Sequence, residues 1–199
     1  MPDYALAETP LAYTLLVVTT MTSLYGLLVD QSFVSQGLFR VGSVRAGQWH
    51  RMVTPAFLHA DLGHLLVNML TLYFFGPHVE RIYGTAGLAV IYLGSQLAAQ
   101  GYTWYAKRQD DDYQALGASG AVSGVVLAFC VFAPLAKLYL FFAIPMPAIV
   151  FGIGYIAYST FAMGGQGRIA HEAHLGGAIG GAALAFLLPV AGGPVGPIG

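Results

Sequence analysis

Apolar residues fill six long uncharged stretches of this chain, set apart by short clusters of charge. The stretches run from Glu8 to Asp30 (21 residues), Asp61 to Glu80 (18), Arg81 to Lys107 (25), Asp112 to Lys137 (24), Lys137 to Arg168 (30) and Glu172 to the end (27). Roughly 20 apolar residues carry a helix across a bilayer, where the backbone must satisfy its own hydrogen bonds. The pattern predicts six crossings, near residues 11–29, 62–79, 85–106, 117–135, 138–159 and 171–189. One connection is long, loop 1, from about 30 to 61. The expected fold class is an all-α membrane protein, a bundle of six transmembrane helices. Residues 1–190 form one domain in this reading, and the Gly- and Pro-rich residues 191–199 are a disordered tail.

Composition agrees with this reading. Hydrophobic residues make up 57% and charged residues 9%, with mean hydropathy +0.68, against roughly 25% charged in an average soluble domain. A net charge of −1 and a pI near 6.6 leave no basic surface for nucleic acid. Asp3 and Glu8 precede the first apolar run, where a cleaved signal would carry positive charge, so the first helix is expected to stay. Cys130 is the sole cysteine, which excludes an internal disulfide, and its distance from the polar clusters makes it a packing residue. Lys107 and Arg108, followed by Asp110, Asp111 and Asp112, read as a solvated loop without chemistry.

Polar side chains inside a membrane are costly, so each is a functional hypothesis by default. His64 and Asn68 are four apart on the second helix and point the same way. Ser119 opens the fourth, within Gly117-Ala118-Ser119-Gly120, and His171 and His174 open the sixth. Six successive crossings make the second, fourth and sixth helices parallel. Their first turns, carrying His64, Ser119 and His174, therefore share one face of the membrane. Gly120 with Gly124, Gly176 with Gly180 and Gly177 with Gly181 are small-xxx-small pairs that let two helix backbones approach closely.

A serine hydroxyl becomes nucleophilic when a histidine within hydrogen-bond reach takes its proton. Ser119 is the candidate nucleophile and His174 its general base. A tetrahedral intermediate needs donors for its oxyanion, and the His64 ring, the Asn68 amide and the Ser119 backbone N–H are the candidates. Glu172, two residues from His174, points away from it on a helix, and Asp61 lies in a connection, so the expected unit is a Ser–His dyad. The segment lacks the second glycine of the G-x-S-x-G nucleophile elbow and no strand precedes it, which excludes a soluble α/β-hydrolase.

These residues resemble the rhomboid family of intramembrane serine proteases. The resemblance is carried in order by Trp49-His50-Arg51, Thr54-Pro55-Ala56-Phe57-Leu58-His59, the H-x-x-x-N from His64 to Asn68, the G-x-x-x-E-R-x-x-G from Gly76 to Gly84, Gly117-Ala118-Ser119-Gly120 and the A-H-x-x-G from Ala173 to Gly177. It implies a six-helix bundle of rhomboid type, a loop 1 partly embedded in the bilayer, and a water-filled active site that cleaves transmembrane segments of other membrane proteins. His59, Gly117 and Gly120 would support that site, and Trp49 and Arg51 would help to build its polar cavity. No cofactor or metal is implied. Family members often stack an aromatic residue, four positions after the serine, on the catalytic histidine. Ser123 stands there in this chain, leaving the space to water or a neighbouring side chain. His50 stands where a second tryptophan is common.

Three other functions compete. A catalytically inactive relative that binds transmembrane clients would be expected to lack Ser119 or His174. A small transporter lined by His64, His171 and His174 leaves Asn68 and the G-x-S-G without roles. A metal site of His59, His64, His171 and His174 lacks the Glu of H-E-x-x-H. Orientation divides the arguments. Arg40, Arg45, Arg51, Lys107, Arg108 and Arg168 lie on the active-site face, and Arg81 and Lys137 on the other. The positive-inside rule then puts the site in the cytoplasm. The resemblance puts it on the extracytoplasmic side of a bacterial inner (plasma) membrane, and is followed here because three of the arginines belong to loop 1.

Overall fold

The computed structural model describes residues 7–140, 143–161 and 171–191. Residues 192–199 of the expected disordered tail lie outside them, as do Asp3 and Arg168, while its first residue, Ala191, donates to Ile82 O (2.8 Å). The described chain is mostly helical: α1 Pro10–Leu28, α2 Gln31–Gly37, α3 Val41–Arg45, α4 Leu62–Lys107, α5 Ser119–Phe132, α6 Ala148–Phe161 and α7 His171–Leu187. Among the described residues two helices, α1 and α4, are long and apolar enough to cross a membrane. α5 and residues 148–158 of α6 are shorter apolar helices. α4, α5 and α7 pack closely around a core that includes Leu72, Ile91, Tyr92, Val125 and Phe129.

The second and third expected crossings are the two arms of α4, broken only at Gly84 (φ 74°, ψ 171°), a conformation side chains rarely allow. Residues 80–83, expected in a connection, are helical, and Glu80 has a task there. It is 2% exposed, and its carboxylate accepts from Leu11 N (3.0 Å), Ala12 N (2.7 Å) and Thr85 Oγ1 (2.8 Å). The first N–H groups of α1 have no partner within their own helix, and a negative group suits that end. Gly76 makes the approach possible, since a Cβ there would lie 3.3 Å from that of Ala12. Glu80→Ala is therefore expected to lower stability by about 1–3 kcal/mol, the penalty for orphaned buried donors. Glu80→Gln, which keeps one acceptor oxygen, should cost less. Melting in detergent checks this, and an unchanged midpoint for Glu80→Ala would show that α1 needs no partner at that end.

Loop 1 is folded rather than free. It holds α2, α3, two 3-10 turns (Trp49–Met52 and Thr54–Phe57) and β1 (Phe39–Arg40), which pairs antiparallel with β2 (Gln114–Ala115). Asp30 caps α2, and its hydrogen bonds with Ser32 hold its carboxyl below the usual carboxylate range. Phe39, Val41, Val44 and Ala115 form a separate small core. Thr22 and Ser23 of α1 donate to Phe57 O, and Tyr92 of α4 donates to Ala56 O. The segment from Lys107 to Asp112 is exposed from Arg108 on, as expected of a solvated loop, and ion pairs tie it to its neighbours. Arg40 pairs with Asp112, Arg45 with Asp111 (2.6 Å), and Lys107 with Glu172 of α7 (2.7 Å). Its charges complement loop 1 and α7, a match between distant segments.

Two expected helices change their limits. The described residues between Leu138 and Pro147 are not helical: β3 (Lys137–Leu140) pairs antiparallel with β4 (Ile144–Pro147), and α6 starts only at Ala148. Pro145 and Pro147 supply no N–H and push the residues before them out of the helical region. α5 begins at Ser119 rather than 117, because Gly117 has φ +119°. It ends at Phe132, where Ala133 precedes Pro134 and leaves helical geometry (φ −120°, ψ 64°).

Candidate active site

Asp61 sets the first turn of α4 by accepting the His64 N–H (2.8 Å), an N-cap that fixes where His64 stands. Asn68 lies one turn further along, 5% exposed, and its Nδ2 donates to His64 O (2.9 Å). A carboxamide has two N–H donors, so one remains for another acceptor.

His59 is fully buried and ties three parts of the molecule together. Ala118 N donates to its Nε2 (3.3 Å), and its Nδ1 lies 2.9 Å from Ser23 Oγ. An Nε2 that accepts leaves the proton on Nδ1, which donates to Ser23, whose hydroxyl in turn donates to Phe57 O (3.2 Å). The His59 and His64 rings meet edge to face at 5.1 Å. Gly117 completes this corner. Its N–H donates to Pro55 O (3.2 Å), and a Cβ there would stand 2.3 Å from His64 Cε1. Both its backbone angle and the imidazole exclude a side chain.

Ser119, partly exposed, is the first residue of α5. The glycine pairs bring its turn to that of His174. A Cβ on Gly177 would be 2.0 Å from Gly120 O, one on Gly181 would be 2.2 Å from Gly124 O, and one on Gly120 would be 3.5 Å from Ala173 O. The residues beside Ser119 and His174 thus touch through their backbones. Among the described residues no hydrogen bond joins the Ser119 hydroxyl to the His174 ring, a contact that commonly tightens only when substrate binds.

Position 123 does not leave His174 without an aromatic neighbour. Tyr155 of α6 stacks on the His174 ring (centroids 6.2 Å apart, planes at 27°) and hydrogen-bonds Ser123 Oγ. Ser123 itself donates to Ser119 O (2.6 Å). Sequence reasoning missed Tyr155 because nothing local distinguishes it from the other aromatics of an apolar helix.

The remaining expected residues fall into place as follows. Glu172 turns to Lys107 and away from His174, and His171 contacts the rings of Tyr158 (5.5 Å) and His174 (6.1 Å). Beside them, burial and the Glu172 carboxylate push the Tyr113 hydroxyl up to about 12. Arg51 folds loop 1, donating to Leu38 O, Ser35 O and Gln48 Oε1, while Trp49 is 65% exposed. Among the described residues no three His, Cys, Asp or Glu side chains converge as a metal site requires. A second feature missed in the sequence is a buried polar stripe on the later arm of α4, Ser95, Gln96, Gln100 and Thr103. Its 96, 100, 103 spacing was readable as one helical face.

The sequence profile of the Rhomboid domain matches residues 46–190. The chain is 33% identical to RHOMBOID-like protein 12, mitochondrial, of Arabidopsis thaliana over 75% of its own length and 49% of that protein. It is 32% identical to rhomboid protease GluP of Bacillus subtilis, over 81% of this chain and 31% of the relative. With Rhomboid protein 1, mitochondrial, of Saccharomyces cerevisiae it shares 30% identity, over 77% of this chain and 42% of that one. It therefore spans less than half the length of each of these relatives.

Proposed function

Since the chain belongs to the rhomboid family of membrane proteins, we propose that it is a serine endopeptidase that cleaves transmembrane segments of other proteins through a Ser119–His174 dyad. The observation that carries this reading is the glycine contact of α5 with α7, which holds the turn of the serine against that of the histidine. His174 takes the Ser119 proton as Oγ attacks the scissile carbonyl, and returns it to the leaving amine. Water then hydrolyses the acyl-enzyme by the reverse sequence. The Ser119 N–H, at a helix N-terminus, and the side chains of Asn68 and His64 hold the oxyanion. His59, Gly117 and Gly120 support the site from behind. The six apolar runs form a six-crossing domain over residues 1–190, with the lipid bilayer and transmembrane substrates as its partners.

Cleavage of a transmembrane segment by protein reconstituted in liposomes, together with capture of Ser119 by a fluorophosphonate, tests the proposal. Wild-type protein that neither cleaves nor is captured would sink it and favour the inactive client-binding reading. Asn68→Ala and His64→Ala should each lower kcat without abolishing it, because one lost oxyanion donor costs about 2.7–4 kcal/mol of transition-state stabilisation. An effect of Asn68→Ala on KM alone would contradict the oxyanion role.

The active site faces the extracytoplasmic side in this reading. Arg40, Arg45 and Arg51 belong to the folded loop 1, pairing with Asp112 and Asp111 and donating to loop carbonyls, so they sit in a structured segment rather than on a free tether. The relatives include mitochondrial proteins as well as a bacterial one. Membership thus gives a membrane, and the bacterial inner membrane is part of the proposal.

A further inference from the structure

Three rings of α6 and α7 stack in sequence. Phe151 lies on Tyr155 (6.3 Å, 19°), and Tyr155 lies on His174 (6.2 Å, 27°), within the range of offset aromatic packing. Tyr155 also bonds the serine segment. Ser123 has one hydroxyl proton, which it gives to Ser119 O, so in its bond with Tyr155 it accepts. A chain therefore runs from the Tyr155 hydroxyl through Ser123 to the carbonyl of Ser119, while the ring of the same tyrosine lies on His174. The helices α5 and α7 meet through glycine backbones, whereas α6 meets the two histidines of α7 through rings, Tyr155 on His174 and Tyr158 against His171.

We propose that Tyr155 is the positioning residue of the dyad: it fixes the His174 ring from α6 and, through Ser123, ties that ring to the Ser119 turn, so that the base is competent only while α6 is seated. The inference rests on the serine-protease reading above. The hydroxyl of Ser123 is part of this arrangement rather than a gap in it, and an aromatic residue at 123 would compete with Tyr155 for one place.

Two readings test it, one of which does not need activity. In a Ser119→Ala background, the His174 Cε1–H resonance should be shifted upfield by the Tyr155 ring current and lose that shift in Tyr155→Leu. An unmoved resonance overturns the proposal whether or not the protein is a protease, and wild-type inactivity alone overturns only the function. In active protein, Tyr155→Leu should lower both kcat and fluorophosphonate capture of Ser119 about a hundredfold, as misplacing a base by about 1 Å does, with KM unchanged. Tyr155→Phe and Ser123→Ala should each cost about tenfold, the worth of one hydrogen bond. Their double variant should be no worse than Ser123→Ala alone, since that change already removes the Tyr155–Ser123 bond. A rise in KM alone, or additive losses, would assign Tyr155 to substrate binding instead.

Seating is tested with the native cysteine. A Cβ at Gly152 would lie 3.4 Å from Cys130 Cβ, close to disulfide distance, so oxidised Gly152→Cys should pin α6 to α5. The pinned protein is expected to capture fluorophosphonate at the wild-type rate. Capture that falls on oxidation and recovers on reduction would mean that His174 works only when α6 has left, against the proposal. The Gly152→Cys protein kept reduced serves as the control for folding.

Discussion

Ser119→Ala and His174→Ala are each expected to abolish cleavage, and the double variant to be scarcely worse than either. Without the base the hydroxyl stays protonated, and without the hydroxyl the base has no proton to take, so the two fail as one unit. Losses on the order of 10⁶ in kcat are typical when one member of such a unit is removed, equivalent to about 8 kcal/mol of transition-state stabilisation. The fold should be indifferent. Ser119 is partly exposed, and among the described residues its hydroxyl holds no hydrogen bond that truncation would orphan. The kinetics of purified variants, with melting of the same samples, check this. Cleavage that persists in Ser119→Ala and vanishes in Ser123→Ala would move the nucleophile one turn along α5. A tenfold effect at Ser123 would not, because that residue acts through Tyr155.

Much of the helical fold was legible because lipid-facing and core-facing helices are both apolar, so charge alone marks their ends. The starts at Pro10, Leu62, Ser119 and His171 fall within two residues of those expected from the uncharged runs. The same signal fails where an apolar run changes conformation without changing polarity. From Lys137 to Phe161 no charge intervenes, and only Pro145 and Pro147 betray the β3–β4 hairpin. The G-x-x-x-E-R-x-x-G pattern was visible as a motif, but its physical content was not. That Glu80 caps α1 depends on a contact across 68 residues of sequence. The site divides in the same way. Ser119, His174, His64 and Asn68 stood out as polar groups in apolar helices, and helix parallelism put them on one face. Tyr155 carried no such contrast. The pairing of Lys107 with Glu172 was not visible, because the two lie on different helices.

Gly177→Ala is expected to cost activity more heavily than any other single-methyl change at the α5–α7 contact. The added Cβ would sit 2.0 Å from Gly120 O, 2.7 Å from its carbonyl carbon and 2.9 Å from its Cα, all backbone atoms that cannot rotate aside. Real Cβ contacts essentially never fall below 3.0 Å, so α5 and α7 must part by roughly 1 Å or more. A shift of that size between nucleophile and base costs about a hundredfold in rate. Gly177 is one turn from His174, and Gly120 adjoins Ser119, so the separation falls where the dyad meets. Overpacking should also remove about 1–3 kcal/mol of stability. Gly181→Ala meets Gly124 O at 2.2 Å, a further turn from His174. It should therefore lose comparable stability with less loss of kcat. Gly154→Ala on α6, where a Cβ would meet nothing within 4 Å, is the control and should match wild type in both. The measurements are kcat on a transmembrane substrate and the melting midpoint of each variant. Gly177→Ala protein with wild-type kcat and midpoint would mean that the two backbones do not touch, and the close approach on which the dyad depends would have to be abandoned.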